Sequence, residues 1–216
     1  MTKLVTNIKD LNDQQIKQFE LFKDNLLDWN QRMNLTAITD ESDIWQKHFV
    51  DSLTLLPLLP NGPIKMLDVG SGAGFPGLPI KIMRPDISMT LLDARQKRIS
   101  FLEDTINRLA LQDTRCIHAR AEDLKRDKSH SHAYDIVVAR AVARLDKLVK
   151  WCLPFVKQGG VFLAMKGPNV EEEINESKEN IRKLDGEVLK VEYMEIAPGM
   201  VHSVIVVCYN GCGSQN

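Results

Sequence analysis

The stretch Lys65–Gly77, KMLDVGSGAGFPG, constrains the fold of this chain more than any other. Met66, Leu67 and Val69 read as the end of a buried strand, and Gly70, Gly72 and Gly74 follow at two-residue spacing. Glycines so close together let the backbone turn sharply and present N–H groups to a ligand that a Cβ would keep away. The segment Gly72–Gly77 also fits the G-x-G-x-x-G pattern, so the glycines alone leave a dinucleotide open. Asp68 tilts the choice. A loop built for pyrophosphate gains nothing from a carboxylate beside two phosphate charges, whereas a ligand with a protonated amine and a cationic centre does. The expected ligand is therefore S-adenosylmethionine.

A length of 216 residues suits one α/β domain with a modest extension. The division expected is a helical N-terminal extension over 1–63, packed on a Rossmann-like core over 64–216. Lys and Arg total 28 against 29 Asp and Glu, so any nucleic-acid binding must rest on a local basic patch. Cys116, Cys152, Cys208 and Cys212 form no C-x-x-C pair, and the last two are expected in a frayed tail. With no disulfide framework and no signal peptide, the default is a reducing cytoplasm. The most apolar run, Leu53–Leu59, is broken by Pro57 and too short to cross a membrane.

Asn12 with Gln15 resembles a capping box, and Ile16, Phe19, Phe22, Leu26 and Leu27 recur at helical spacing. This predicts a packing helix that ends near Trp29, followed by a loop over Arg32–Ile38. Helical patterns at Ser42–His48 and Asp51–Leu58 lead to the breaker Pro60–Pro63. Strands are then expected at Lys65–Val69, Met89–Leu92, Thr114–His118, Tyr134–Ala139 and Val161–Met165. Helices are expected at Leu78–Met83, Ala94–Ala110, Leu145–Phe155 and Glu171–Leu184. Two β-rich stretches, Gly186–Glu195 and Val201–Cys208, close the chain. Alternating strands and helices imply a mostly parallel sheet covered on both faces, and the final pair adds an antiparallel strand. The fold class is α/β, with the topology of a class I methyltransferase.

In such sheets the ligand lies outside the carboxyl ends of the strands, so the residues there carry the functional reading. After the second strand comes Asp93, whose carboxylate can hold a ribose diol or cap the helix that follows. After the third comes Ala119–Asp123, where Ala121 and Glu122 either meet an adenine ring or open a short helix. Arg140 and Lys166 follow the fourth and fifth strands and suit a methionine carboxylate or a phosphate backbone. Arg95, Lys97 and Arg98 stand at the start of a helix, against its dipole at roughly 0.3–1 kcal/mol each. That arrangement implies carboxylate partners or an RNA-facing patch.

His130 and His132 read as loop residues without the ligands a metal site needs. His48 and Asp51 resemble a catalytic pair, but no G-x-S-x-G or similar nucleophile motif accompanies them. After the fourth strand the chain reads Ala139-Arg140-Ala141-Val142, with no Pro-Pro-aromatic motif for exocyclic amines and no cysteine to attack a pyrimidine. An acceptor that is already nucleophilic remains. Guanine N7 has a lone pair and no proton to lose, so catalysis reduces to alignment without a general base.

Trp29-Asn30, Asn34-Leu35-Thr36, His48 with Asp51-Ser52, Leu67–Gly77, Leu91-Leu92-Asp93, Lys97-Arg98, Phe101-Leu102, Arg140-Ala141 and Lys166-Gly167 together resemble one family. It is the small-subunit ribosomal RNA methyltransferase G family, also called glucose-inhibited division protein B. The resemblance runs from about Phe19 to Val207, and Pro76-Gly77 after the glycine loop makes it specific. It implies methyl transfer from S-adenosylmethionine to N7 of a guanine in 16S rRNA, and cofactor contacts at Gly70, Phe75, Ala121, Glu122 and Arg140. At one position the chain departs from the family, with His202 where an arginine is usual.

The expected cofactor site is thus Asp68, Gly70, Gly72, Phe75, Asp93, Ala121, Glu122 and Arg140. Candidate RNA contacts are Asn34, Arg95, Lys97, Arg98 and Lys166, with no metal and no assigned catalytic residue; Arg140 and Lys166 are the candidates for a part in the alignment. The expected partner is the small ribosomal subunit, met by a monomer. The competing readings are a nicotinamide-dependent oxidoreductase and a non-catalytic RNA-binding module on the same fold.

Overall fold

The computed structural model describes residues 11–140 and 143–209. Its strands are β1 (Lys65–Val69), β2 (Ser88–Asp93), β3 (Thr114–His118), β4 (Tyr134–Arg140), β5 (Val156–Lys166), β6 (Gly186–Ala197) and β7 (Met200–Tyr209). They form one sheet in the order β3-β2-β1-β4-β5-β7-β6. The first five pair in parallel, and β7 runs antiparallel between β5 and β6. This is the mostly parallel α/β sheet with an antiparallel closure that the alternating pattern predicts. β5 starts at Val156 rather than Val161, because Gly159 and Gly160 interrupt the apolar run without ending the strand.

Both faces of the sheet are covered, so the central strands are apolar on each side. One face packs on α1 (Asp13–Met33), α4 (Gly77–Met83) and α5 (Gln96–Arg108), and the other on α6 (Ala121–Leu124), α7 (Leu145–Cys152) and α8 (Glu171–Lys183). Within β1 the alternation is visible residue by residue: Met66 joins the first core and Leu67 the second.

α1 opens with the expected capping box, in which Gln15 N–H donates to Asn12 at 2.9 Å and Asn12 N–H to Gln15 at 3.1 Å. The helix does not stop near Trp29. It runs to Met33 and ends on Asn34 in the left-handed conformation, so the following loop begins there and not at Arg32. Phe22 stacks on Phe75 of the glycine loop at 5.1 Å, and Trp29 donates to Asp104 of α5 at 2.9 Å. The extension thus shares its core with the sheet.

The two helices expected after α1 are one continuous run: α2 (Glu41–Ile44), a π-helical turn over Trp45–Val50, and α3 (Asp51–Leu53), with a 3₁₀ turn at Leu56–Leu58 beyond it. Such π turns recur at functional sites. Cys208 is buried within β7 and not in a frayed tail, while Cys212, Ala141 and Val142 lie outside the described residues. Among the described residues no helix is long and apolar enough to cross a membrane.

Candidate active site

A cavity of about 860 Å³ opens at the carboxyl ends of β1 to β5. The glycine loop and the end of β2 form one wall. Leu35, Thr36, Lys47, His48 and Asp51 of the N-terminal extension form the facing one.

Asp93 organises the first wall. Its Oδ2 accepts from Gly72 N–H at 3.0 Å and from the Arg98 guanidinium at 3.2 Å, while its Oδ1 accepts from Arg95 N–H at 2.8 Å. Gly72 has φ +58°, which a side chain would resist, so the turn that brings its N–H onto Asp93 needs glycine. The helix-capping role foreseen for Asp93 takes the form of the bond to Arg95, the residue that precedes α5. Asp93 lines the cavity at the same time.

Asp68, expected among the cofactor contacts, is not among the residues that line the cavity. It shares the Met66 face of β1, beneath the start of α4, and is fully buried. Its Oδ2 accepts from Gly77 N–H at 2.9 Å, so the carboxylate caps the α4 helix from the strand below. Its Oδ1 has no hydrogen-bond partner among the described residues. Burial pushes the carboxyl up to about 7. The acidic residue shapes the loop from underneath.

Gly70, Gly72, Phe75, Ala121, Glu122 and Arg140 all line the cavity with Asp93. Ala121 and Glu122 also open α6, so the two readings of that turn are compatible. Arg140 reaches across to the extension. Its Nη1 donates to Asp51 Oδ2 at 2.7 Å and to Lys47 O at 3.1 Å, its Nη2 lies 3.3 Å from His48 Nδ1, and its guanidinium sits 5.1 Å from the Phe75 ring centre. His48 stacks on the same ring at 4.5 Å, and its Nε2 lies 2.9 Å from Thr36 Oγ1. Burial and then the Arg140 charge push the imidazole down to about 4, so it is neutral at physiological pH.

The second oxygen of Asp51 pairs with His202 Nδ1, whose Nε2 lies 3.1 Å from Thr54 Oγ1. Burial pushes the Asp51 carboxyl up, but hydrogen bonding from His202 and the Arg140 charge outweigh it and hold the group below the usual carboxylate range. His202 therefore occupies a closed polar network within β7. His48 and Asp51 were visible in the sequence only as a histidine and an acid three residues apart. His202 was marked only as a departure from the family's usual arginine, and nothing in the pattern pointed to Glu173 as a cavity residue.

Among the candidate RNA contacts, Arg95, Arg98 and Lys166 line the cavity, whereas Lys97 and Asn34 are exposed outside it. Arg98 has its carboxylate partner in Asp93, while Arg95 and Lys97 have no ion pair among the described residues. Lys166 pairs with Glu173 of α8 at 2.8 Å. His130 contacts the Tyr134 hydroxyl at 2.6 Å, and His132 lies 2.9 Å from Val156 O. Among the described residues no group of His, Cys, Asp and Glu could hold a metal ion.

Comparison with known proteins adds to this geometry. Residues 15–200 match the GidB family, described as rRNA small subunit methyltransferase G. A ribosomal RNA small subunit methyltransferase G of Clostridium botulinum (strain Loch Maree / Type A3) is 44% identical over 200 residues, covering 92% of this chain and 84% of the relative. One of the same description from Acetivibrio thermocellus is 49% identical over 179 residues, covering 83% and 74%. Among solved structures, M. jannaschii TYW2 in complex with AdoMet superposes with a TM-score of 0.58 at 18% identity, covering 79% of this chain and 77% of that one. At that identity the likeness concerns the fold.

Proposed function

The chain belongs to the rRNA small subunit methyltransferase G family, and from that premise we propose that it transfers a methyl group from S-adenosylmethionine to N7 of a guanine in 16S rRNA of the small ribosomal subunit. The observation that carries the cofactor half of this reading is the junction of Gly72 N–H with Asp93 at the mouth of the cavity. The residues there suit such a group. The φ +58° turn at Gly72 keeps the loop free of a side chain, and Asp93 Oδ1 carries a single hydrogen bond, leaving acceptor capacity for a ribose hydroxyl.

In this proposal Asp93 holds the ribose, Ala121 and Glu122 meet the adenine, and Gly70, Gly72 and Phe75 shape the methionine end. Arg140 places its charge beside them. Asp68 serves indirectly, by fixing Gly77 and with it the loop. When bound, S-adenosylmethionine supplies an electrophilic methyl group on a sulfonium. The protein's task is to hold guanine N7 in line with it, which requires no proton transfer and fits a cavity in which His48 is held neutral. Arg95, Lys97, Arg98 and Lys166, with Asn34 at the end of α1, offer the RNA contacts. The chain acts as a monomer on ribosomal particles in the cytoplasm.

Calorimetric titration with S-adenosylmethionine and with NADH tests the cofactor, since only the first should bind. Mass analysis of 16S rRNA from a deletion strain tests the acceptor, since 7-methylguanosine should be lost and return on complementation. Unchanged 7-methylguanosine would overturn the proposal.

A further inference from the structure

Lys166 ends β5 and Glu173 lies in the first turn of α8, and both line the cavity. Their side chains are only 11% and 21% exposed. Lys166 Nζ donates to Glu173 Oε2 at 2.8 Å and to Ala143 O at 2.8 Å. An ammonium has three N–H groups, so one is left. Glu173 Oε2 also accepts from Leu145 N–H at 3.3 Å, while its Oε1 has no hydrogen bond among the described residues. The pair therefore presents a donor and an acceptor side by side, each with bonding capacity to spare.

The Watson–Crick edge of guanine is the complement of that arrangement. It offers an acceptor at O6 and then donors at N1–H and the 2-amino group. Adenine offers a donor at N6 and an acceptor at N1, so it would set donor against donor. The other carboxylates at the cavity have other tasks. Asp51 is held by Arg140 and His202, the free capacity of Asp93 is assigned to the ribose, and Glu122, beyond β3, to the adenine.

Position supports the same assignment. β4 separates β1 from β5, and with strands about 4.8 Å apart their ends stand about 10 Å from each other. A purine gripped by its Watson–Crick edge at β5 points its five-membered ring away from that strand, and N7, on the adjoining edge beside O6, is then free to face the glycine loop of β1. Enzymes that modify a base read it by such edge contacts once it has left the stack.

We propose that Lys166 and Glu173 together read the Watson–Crick edge of the acceptor guanine, with Glu173 accepting from N1–H and the 2-amino group and Lys166 donating to O6. The inference rests on the assignment of guanine N7 as the acceptor atom. It makes the pair the specificity determinant for the base, separate from the residues that hold the cofactor.

The test is methyl transfer from labelled S-adenosylmethionine to small ribosomal subunits reconstituted with guanosine or inosine at the acceptor position. Inosine lacks only the 2-amino group. With the wild-type enzyme, inosine should lower kcat/KM about tenfold. In Glu173→Gln, guanosine should lose a similar factor and the inosine penalty should vanish or reverse, while binding of S-adenosylmethionine stays unchanged. An equal inosine penalty in both enzymes would overturn the proposal, since a purely structural Glu173 cannot couple to the 2-amino group. So would the absence of any penalty in the wild type, an outcome that needs no variant to fold. Failure to methylate guanosine-bearing subunits at all would instead strike the assignment of the acceptor.

Discussion

The Arg140 guanidinium and the Asp51 carboxylate meet at 2.7 Å across 89 positions of sequence, at 17% and 10% side-chain exposure. This contact joins the end of a core strand to the N-terminal extension and closes one wall of the cavity. His202 takes the other oxygen of the same carboxylate, so β4, β7 and the extension converge on one residue. Breaking a buried ion pair by removing one partner costs about 3–5 kcal/mol. We expect Asp51→Ala to lose a stability of that order in urea unfolding. Asp51→Asn, which retains hydrogen-bonding capacity, should lose less.

Stability should depend on pH through two groups of opposite sign. His48 is depressed from 6.5 to about 4, so the unfolded chain binds a proton that the folded one refuses, and stability falls as pH drops through that window. Asp68 is raised from 3.8 to about 7, so the folded chain binds the extra proton, and stability falls as pH rises through that range. The two slopes oppose each other in the wild type. Asp68→Asn, whose amide oxygen can still accept from Gly77, should expose the His48 slope: its stability should climb more steeply than that of the wild type between pH 4 and 6.5. Chemical unfolding across pH 4–8 measures this directly, and parallel profiles would contradict it.

Asp93→Ala should weaken binding of S-adenosylmethionine about thirtyfold, the equivalent of about 2 kcal/mol for a charged hydrogen-bonding group. Part of that loss comes from the loop, because Gly72 N–H loses its anchor. Calorimetry checks the affinity, and faster hydrogen exchange at Gly72 in the unliganded variant would separate the two contributions.

Much of this site was legible because its signals are local. The glycine spacing, the acid that ends β2 and the acidic turn after β3 each sit within a few residues of the strand end that places them. The setting of Asp68 was not legible for a physical reason. β1 is buried on both faces, so its composition does not say which way each side chain points, and only the packing of α4 on the Met66 face shows that the carboxylate lies beneath the loop. The Arg140–Asp51–His202 network was invisible because its members lie far apart in sequence and are joined only by the fold. The end of α1 was missed although its cue was present, namely Arg32 in the last turn and Asn34 as a left-handed cap.

At Gly77 an added Cβ would stand 2.6 Å from Leu91 Cδ2 and 2.8 Å from Asp68 Oδ2. Gly77→Ala must therefore displace either the core or the carboxylate that orders the loop, at about 1–3 kcal/mol. Reduced thermal stability together with weaker cofactor binding is the expected result. An unchanged affinity would show that the loop tolerates the shift.

Arg95 and Lys97 are exposed and without ion pairs among the described residues, so their contribution should appear in RNA binding alone. Replacing both with alanine should leave cofactor affinity unchanged and make the salt dependence of RNA binding shallower by about one to two units of log–log slope. Filter binding over a range of salt concentrations measures the slope.

Membership of the methyltransferase G family assigns this chain to methylation of guanine N7 in small-subunit rRNA. The most direct measurement incubates purified protein with labelled S-adenosylmethionine and small subunits from the deletion strain, then digests the rRNA to nucleosides for mass analysis. Label should appear in 7-methylguanosine, at one site, in 16S rRNA. Label in any other nucleoside, or none in the presence of bound cofactor, would contradict it.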